Sequence, residues 1–168
     1  MSYIVTIRFN NFTWQENCQY REKYSEPGCI YGPSRKISDQ IPLNLLVYVI
    51  EMNNSMNQIE GIGLIKNNIQ FDKKYHIYED GNFNRYIYKS EYRLDRSMLD
   101  PRLIELLDTI LFKGKTHLKR GCGFTRIPQK LFNCEKYRTM GLGTDAEVRE
   151  EIKHLFKRHF SKNDKKSD

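Results

Sequence analysis

Leu45-Leu46-Val47-Tyr48-Val49-Ile50 is a continuous apolar run of strand length, and Ile59-Glu60-Gly61-Ile62-Gly63-Leu64-Ile65 follows it as a second. An unbroken apolar run predicts a strand covered on both faces, because a strand with one face in water would alternate. The polar stretch Met52 to Gln58 between the two runs is turn material, so together they read as a hairpin. Gly61 and Gly63 stand two residues apart and share one face, where missing Cβ atoms permit a sharp bend or a close backbone approach, as a small curved barrel needs. No G-x-G-x-x-G phosphate loop grows out of them, which argues against a dinucleotide fold.

Toward the N-terminus, Tyr3, Val5, Ile7 and Phe9 alternate as one face of a half-buried strand. Asn10 to Trp14 then reads as a polar and aromatic turn, and Gln15 to Gly28 as a loop, with room for a helical turn, closed by Pro27-Gly28. Cys29-Ile30-Tyr31 is a short apolar patch stopped by Gly32-Pro33, and Ser34 can cap a brief helix through Asp39 before Pro42 breaks it. Toward the C-terminus, Gln70 to Tyr78 is a further strand candidate and Glu79 to Asn84 a turn. One strand then runs through Tyr86, Tyr88, Ser90, Tyr92 and Leu94.

Asp100-Pro101 opens a helix, with the carboxylate as cap and proline at the first helical position. Leu103, Ile104, Leu106, Leu107, Ile110 and Leu111 form its buried face, and Gly114 ends it. Thr144-x-x-Glu147 is a capping box that starts a last helix, with Val148, Ile152, Leu155, Phe156 and Phe160 at helical spacing. This order predicts an α+β domain: a curved mixed β-sheet or small β-barrel flanked by helices. Residues 1–143 would form the domain, 144–160 an amphipathic helix packed on it, and 161–168 a disordered basic tail.

Charge is distributed unevenly. Lys and Arg set against Asp and Glu give −1 over residues 1–110, +7 over 111–138, −3 over 139–152 and +4 over 153–168, for a total of +7. The excess lies in KGKTHLKRGCGFTRIPQKLF, Lys113 to Phe132, which holds no acidic residue and carries three glycines. Cations on a glycine-rich loop suit a polyanion, since each neutralised phosphate releases condensed counterions. Lys115, Lys119, Arg120 and Arg126 are the candidate phosphate ligands, with Phe124 the aromatic beside the bound strand. A solvated basic loop, and Phe124 as a core plug beneath it, is the plainer account of the same residues.

A chain of 168 residues with 39% hydrophobic and 12% aromatic content can bury a core as one domain. The N-terminus lacks the cationic and apolar regions of a leader, and no apolar run spans a bilayer, so the expected location is intracellular, in cytoplasm or nucleus, without membrane contact. Cys18, Cys29, Cys122 and Cys134 are then expected as free thiols. A single alanine, Ala146, beside abundant Asn, Ile, Lys and Tyr points to an AT-rich genome, that of a large DNA virus or an AT-rich microbe.

Two segments taken together carry a family resemblance: Cys29-Ile30-Tyr31-Gly32, and Val47 to Ile65 about twenty residues later. Their order resembles the PUA-like superfamily, above all its YTH and EVE branches. There an aromatic-containing strand precedes a helix, an apolar strand, an Asn/Ser-rich turn and a glycine-bearing strand. Arg85-Tyr86-Ile87-Tyr88 looks like the aromatic strand that follows in EVE-type domains, and Pro101 to Phe112 like the late helix. The resemblance covers residues 3–132. It implies a curved barrel flanked by helices that takes an unstacked, often modified base into an aromatic pocket. By position, Tyr31 stands where YTH members have a cage tryptophan and Asn53 where they have the asparagine opening the turn. No further tryptophan follows Ile65, and Trp14 is not at a matching cage position, so a methyl-adenine cage is incomplete in this chain.

The function this suggests is a non-enzymatic nucleic-acid-binding module, with RNA ahead of DNA as the partner and no cofactor or metal. Tyr31, Trp14, Asn10, Asn11, Asn53 and Asn54 would form its base pocket, although asparagines are also common turn residues. Two other classes stay open. One is a thiol- or metal-dependent enzyme centred on Cys122 with His117 as base. The other is a non-catalytic module that docks a protein through the last helix and basic tail. The cysteine and histidine spacings lack the paired short intervals of zinc modules, and no carboxylates cluster as a Mg²⁺ nuclease needs.

Overall fold

A computed structural model describes residues 2–164 of the chain. The two runs that open the sequence reading form β3 (Leu46–Asn53) and β4 (Gln58–Lys66), an antiparallel pair at the centre of the molecule. β1 (Ser2–Phe9) lies parallel to β3, with Ser2 opposite Leu46 and Phe9 opposite Asn53. β6 (Tyr92–Asp95) adds antiparallel to β4, and the two-residue β7 (Thr125–Arg126) pairs antiparallel with β1. The five-stranded order is β6-β4-β3-β1-β7, with β6 and β7 as free edges, so the mixed sheet is open and the expected barrel does not close. A second, two-stranded sheet joins β2 (Cys29–Tyr31) to β5 (Tyr88–Ser90).

The alternation of β3 divides the core in two. Tyr48, Ile50 and Met52 face a largely aliphatic cluster with α2 (Pro101–Phe112) and α4 (Asp145–Asp164). Val47 and Val49 face a tyrosine-rich cluster that includes Val5, Ile7 and Phe9 of β1, Tyr20, and β2 with β5. This double covering explains why β3 reads as a continuous apolar run. Asp100 caps α2 through the Arg102 N–H at 2.8 Å, and Gly114 follows the helix at φ 76°. Thr144 accepts the Glu147 N–H at 3.1 Å as the sequence pattern requires.

Several expectations need correction. Residues 11–23 form α1 (Asn11–Lys23) where the sequence suggested a turn and loop. Asn10 and Thr13 make a reciprocal capping box, Thr13 N–H to Asn10 Oδ1 at 2.8 Å and Asn10 N–H to Thr13 Oγ1 at 3.0 Å. The helix buries only Asn17 and Tyr20, so it shows no apolar periodicity to detect. The brief helix at Ser34–Asp39 is absent, and the Ile37 N–H donates to the Tyr88 hydroxyl at 3.0 Å instead. Residues 70–78 form no strand, because Asn84 Oδ1 takes the amides of Ile77 and Tyr78 at 2.9 and 3.0 Å. The single strand through Tyr86–Leu94 is two strands in two sheets, interrupted at Glu91. A four-residue helix, α3 (Glu135–Arg138), forms without a side-chain cap and so leaves no signal in the sequence. The final helix continues to Asp164, into the expected tail, and residues 165–168 of that tail lie outside the described residues.

Candidate functional site

β7 pairs with β1 only at Thr6–Thr125 and Val5–Arg126. Beyond Thr6 the outer edge of β1 therefore has no partner strand, and a cleft of about 530 Å³ opens against Ile7, Arg8 and Phe9. It sits where β1 and its parallel neighbour β3 reach their carboxyl ends and α1 begins. Its volume falls within the ~300–1,000 Å³ typical of small-molecule pockets. Phe9, Phe12, Tyr78 and Phe83 give it aromatic walls. Phe12 is 59% exposed, and Phe83 meets Tyr78 edge-on at 5.8 Å.

The glycine loop forms the wall opposite β1. Gly121, Cys122 and Gly123 line the cleft, and Arg8 anchors them from beneath. Its guanidinium donates to the carbonyls of Gly121 (3.3 Å), Leu118 (3.2 Å) and Gly123 (3.3 Å), and to the hydroxyls of Thr6 (3.1 Å) and Thr125. All five of its N–H donors are thus engaged. Burial lowers the Arg8 pKa, and no carboxylate pairs with it among the described residues. Its charge stays uncompensated beneath a loop whose backbone N–H groups at Gly121, Cys122 and Gly123 find no acceptor among the described residues. Gly121 and Gly123 sit at φ 138° and 68°, backbone conformations that glycine adopts without a Cβ penalty.

Of the sequence-level pocket residues, Asn10 and Asn54 line this cleft. Asn54 donates from Nδ2 to the Lys119 carbonyl at 2.9 Å, tying the β3–β4 turn to the basic loop, while its Oδ1 is buried without a partner. The other four belong to the framework. Tyr31 is 0% exposed and donates to Glu51 Oε2 at 2.7 Å, so it cannot meet a ligand. Asn53 is buried, with Oδ1 accepting the Ser55 and Met56 amides and Nδ2 donating to Asn11 and Glu60. Asn11 is occupied in that same turn. Trp14 packs edge-on against Phe9 at 5.0 Å, with the guanidiniums of Arg21 and Arg93 5.3 and 5.4 Å from its ring.

The basic stretch divides likewise. Lys119 and Arg120 immediately precede the cleft-lining loop, and Lys115 is exposed. Arg126 lies on β7 over the Tyr3 ring at 5.2 Å, at the far end of β1 from the cleft. Phe124 is half-buried and packs edge-on against Tyr31 at 6.0 Å and Tyr88 at 5.3 Å, and it does not line the cleft. The thiol–imidazole pairing is not formed: Cys122 lies 3.4 Å from the Ser34 hydroxyl, and His117 Nδ1 accepts the Lys119 N–H at 3.2 Å. No three His, Cys, Asp or Glu side chains cluster to hold a metal among the described residues.

Fold and cleft define an α+β domain with an open mixed sheet and an aromatic recess walled on one side by the glycine turn that follows Lys119 and Arg120. No helix among the described residues is long and apolar enough to cross a membrane. The chain matches no family model, no curated protein and no solved structure.

Proposed function

We propose that this chain is a nucleic-acid-binding module that accepts one unstacked base in the cleft beside β1 and holds flanking phosphates on the glycine-rich loop. The observation that carries this is the shared rim: Gly121–Gly123 line the same recess as Phe12, Tyr78 and Phe83. Aromatic faces stack bases at roughly 1–3 kcal/mol each, while cations and free backbone N–H groups position phosphate. Of the order implied by the PUA-like resemblance, the aromatic strand β2 and the β3–β4 hairpin with its Asn/Ser-rich turn support the reading, while the helix expected between them is absent. The recess differs from the one implied by that resemblance, since Tyr31 lies under it as framework. RNA is the first partner to test, with DNA alongside.

The test is binding of plain and modified single-stranded oligonucleotides at two salt concentrations. Replacing Lys119 and Arg120 with alanine is expected to weaken binding to every sequence and to flatten the salt slope by roughly 0.7 per lost phosphate contact. Arg126→Ala, remote from the cleft, should change little. Equal affinity and slope in the double variant would remove the loop from the site.

A further inference from the structure

The polar groups around the cleft are unequally engaged. On the loop side every side-chain N–H of Arg8 is taken. On the α1 side stand two carboxylates, Glu16 and Asp80, both lining the cleft and neither ion-paired among the described residues. Glu16 Oε2 accepts the Glu79 N–H at 2.8 Å, and Asp80 Oδ1 accepts the Asn82 N–H at 2.9 Å. Each carboxylate is therefore oriented through one oxygen, while its second oxygen has no donor among the described residues. Because Glu79 directly precedes Asp80, the two free acceptors belong to one wall.

A recess whose open side-chain groups are mainly acceptors selects a ligand edge made of donors. Among the standard bases only guanine offers two adjacent donors, N1–H and the N2 amino group, on its Watson–Crick edge. Adenine and cytosine set a ring-nitrogen acceptor beside their amino group, which a carboxylate repels. Uracil flanks its single N–H with two carbonyls. Resting on the base-binding reading above, we propose that the cleft reads guanine, with Glu16 and Asp80 accepting N1–H and N2–H while the base stacks among Phe12, Tyr78 and Phe83. Each contact would be a charge-assisted hydrogen bond, the strong form of N–H···O.

The experiment measures binding of a uridine-rich RNA carrying one central guanosine, inosine, adenosine or cytidine. The chain is used as wild type, Glu16→Gln, Asp80→Asn and the double variant, each checked for fold by circular dichroism. Guanosine is expected to bind tightest. Inosine, which lacks the N2 amino group, should bind about tenfold more weakly, as one charge-assisted hydrogen bond implies. The preference should disappear in at least one carboxamide variant while general affinity persists. Equal binding of all four RNAs, or a guanosine preference retained in the double variant, overturns the guanine assignment and leaves base binding standing. Failure to bind any oligonucleotide overturns both.

Discussion

Arg93 is the side chain on which the tyrosine-rich face depends. From β6 it reaches across Gly61 of β4 to Glu51 of β3, with Nη2–Oε1 at 2.7 Å and Nε at 3.1 Å from both oxygens. Glu51 is 1% exposed and also receives the Tyr31 hydroxyl. Burial alone would lower the Arg93 pKa, but the Glu51 carboxylate more than offsets it and holds the guanidinium above its ordinary range. Removing one member of such a pair strands a buried charge at a cost of about 3–5 kcal/mol, whereas replacing both by apolar residues is often neutral. Arg93→Met is therefore expected to lose that much in urea denaturation, and Arg93→Met/Glu51→Leu to recover only part of it, because the buried Tyr31 hydroxyl then loses its acceptor. A single variant within about 1 kcal/mol of wild type, the range of an exposed pair, would show that water reaches Glu51.

At the scale of elements, β4 works because two of its side chains are missing. A Cβ at Gly61 would stand 2.6 Å from the Leu94 carbonyl and 2.7 Å from Arg93 Nη2. One at Gly63 would overlap the Tyr31 hydroxyl and stand 2.7 Å from Cys29 Sγ. Gly63→Ala should cost roughly 1–3 kcal/mol in urea denaturation, as overpacking does, while Gly81→Ala, with open space around it, should be near neutral. Equal stabilities would mean that β2 can lift off the sheet freely. The sequence carried this much: Gly61 and Gly63 sharing a face announced a close approach, and the β3 run announced its double covering. It did not carry α1, because the structure of that helix rests on the Asn10–Thr13 cap and on tertiary contacts with no apolar stripe. Nor did it carry the cleft. The aromatic walls bring Phe12 of α1 against Tyr78 and Phe83, which lie far along the chain from it, and Asn84 side-chain bonds bring the Tyr78 segment into place. Tyr31 looked like a pocket residue because an aromatic beside a glycine reads alike whether it is buried or open.

The whole molecule is a sheet between two unlike cores, and their chemistry predicts an asymmetric response to alkali. The face that carries the cleft buries Cys29, Tyr31 and Tyr78, all neutral, while the helical face is mainly aliphatic. Burial pushes the Cys29 thiol up from 9.0 to about 12, and it raises the Tyr31 and Tyr78 phenols well above their usual value. A group whose pKa is higher folded than unfolded contributes stability that is complete below the unfolded value and is lost as pH rises beyond it. Here the unfolded chain releases protons that the folded chain retains, so stability falls with pH. The loss should begin near pH 9 with Cys29, at about 1.4 kcal/mol per pH unit, and steepen above about pH 10 as the two tyrosines join. Urea denaturation across that range measures it. Cys29→Ala, although less stable at neutral pH, should lessen the loss below the tyrosine range, where Cys18, whose thiol burial also pushes up, still contributes. Because Tyr78 is both a wall of the cleft and part of this core, oligonucleotide binding should fail over the same interval. Stability that stays flat from pH 8 to 11 would mean that these groups ionise without unfolding, and that the face beneath the cleft is open to water.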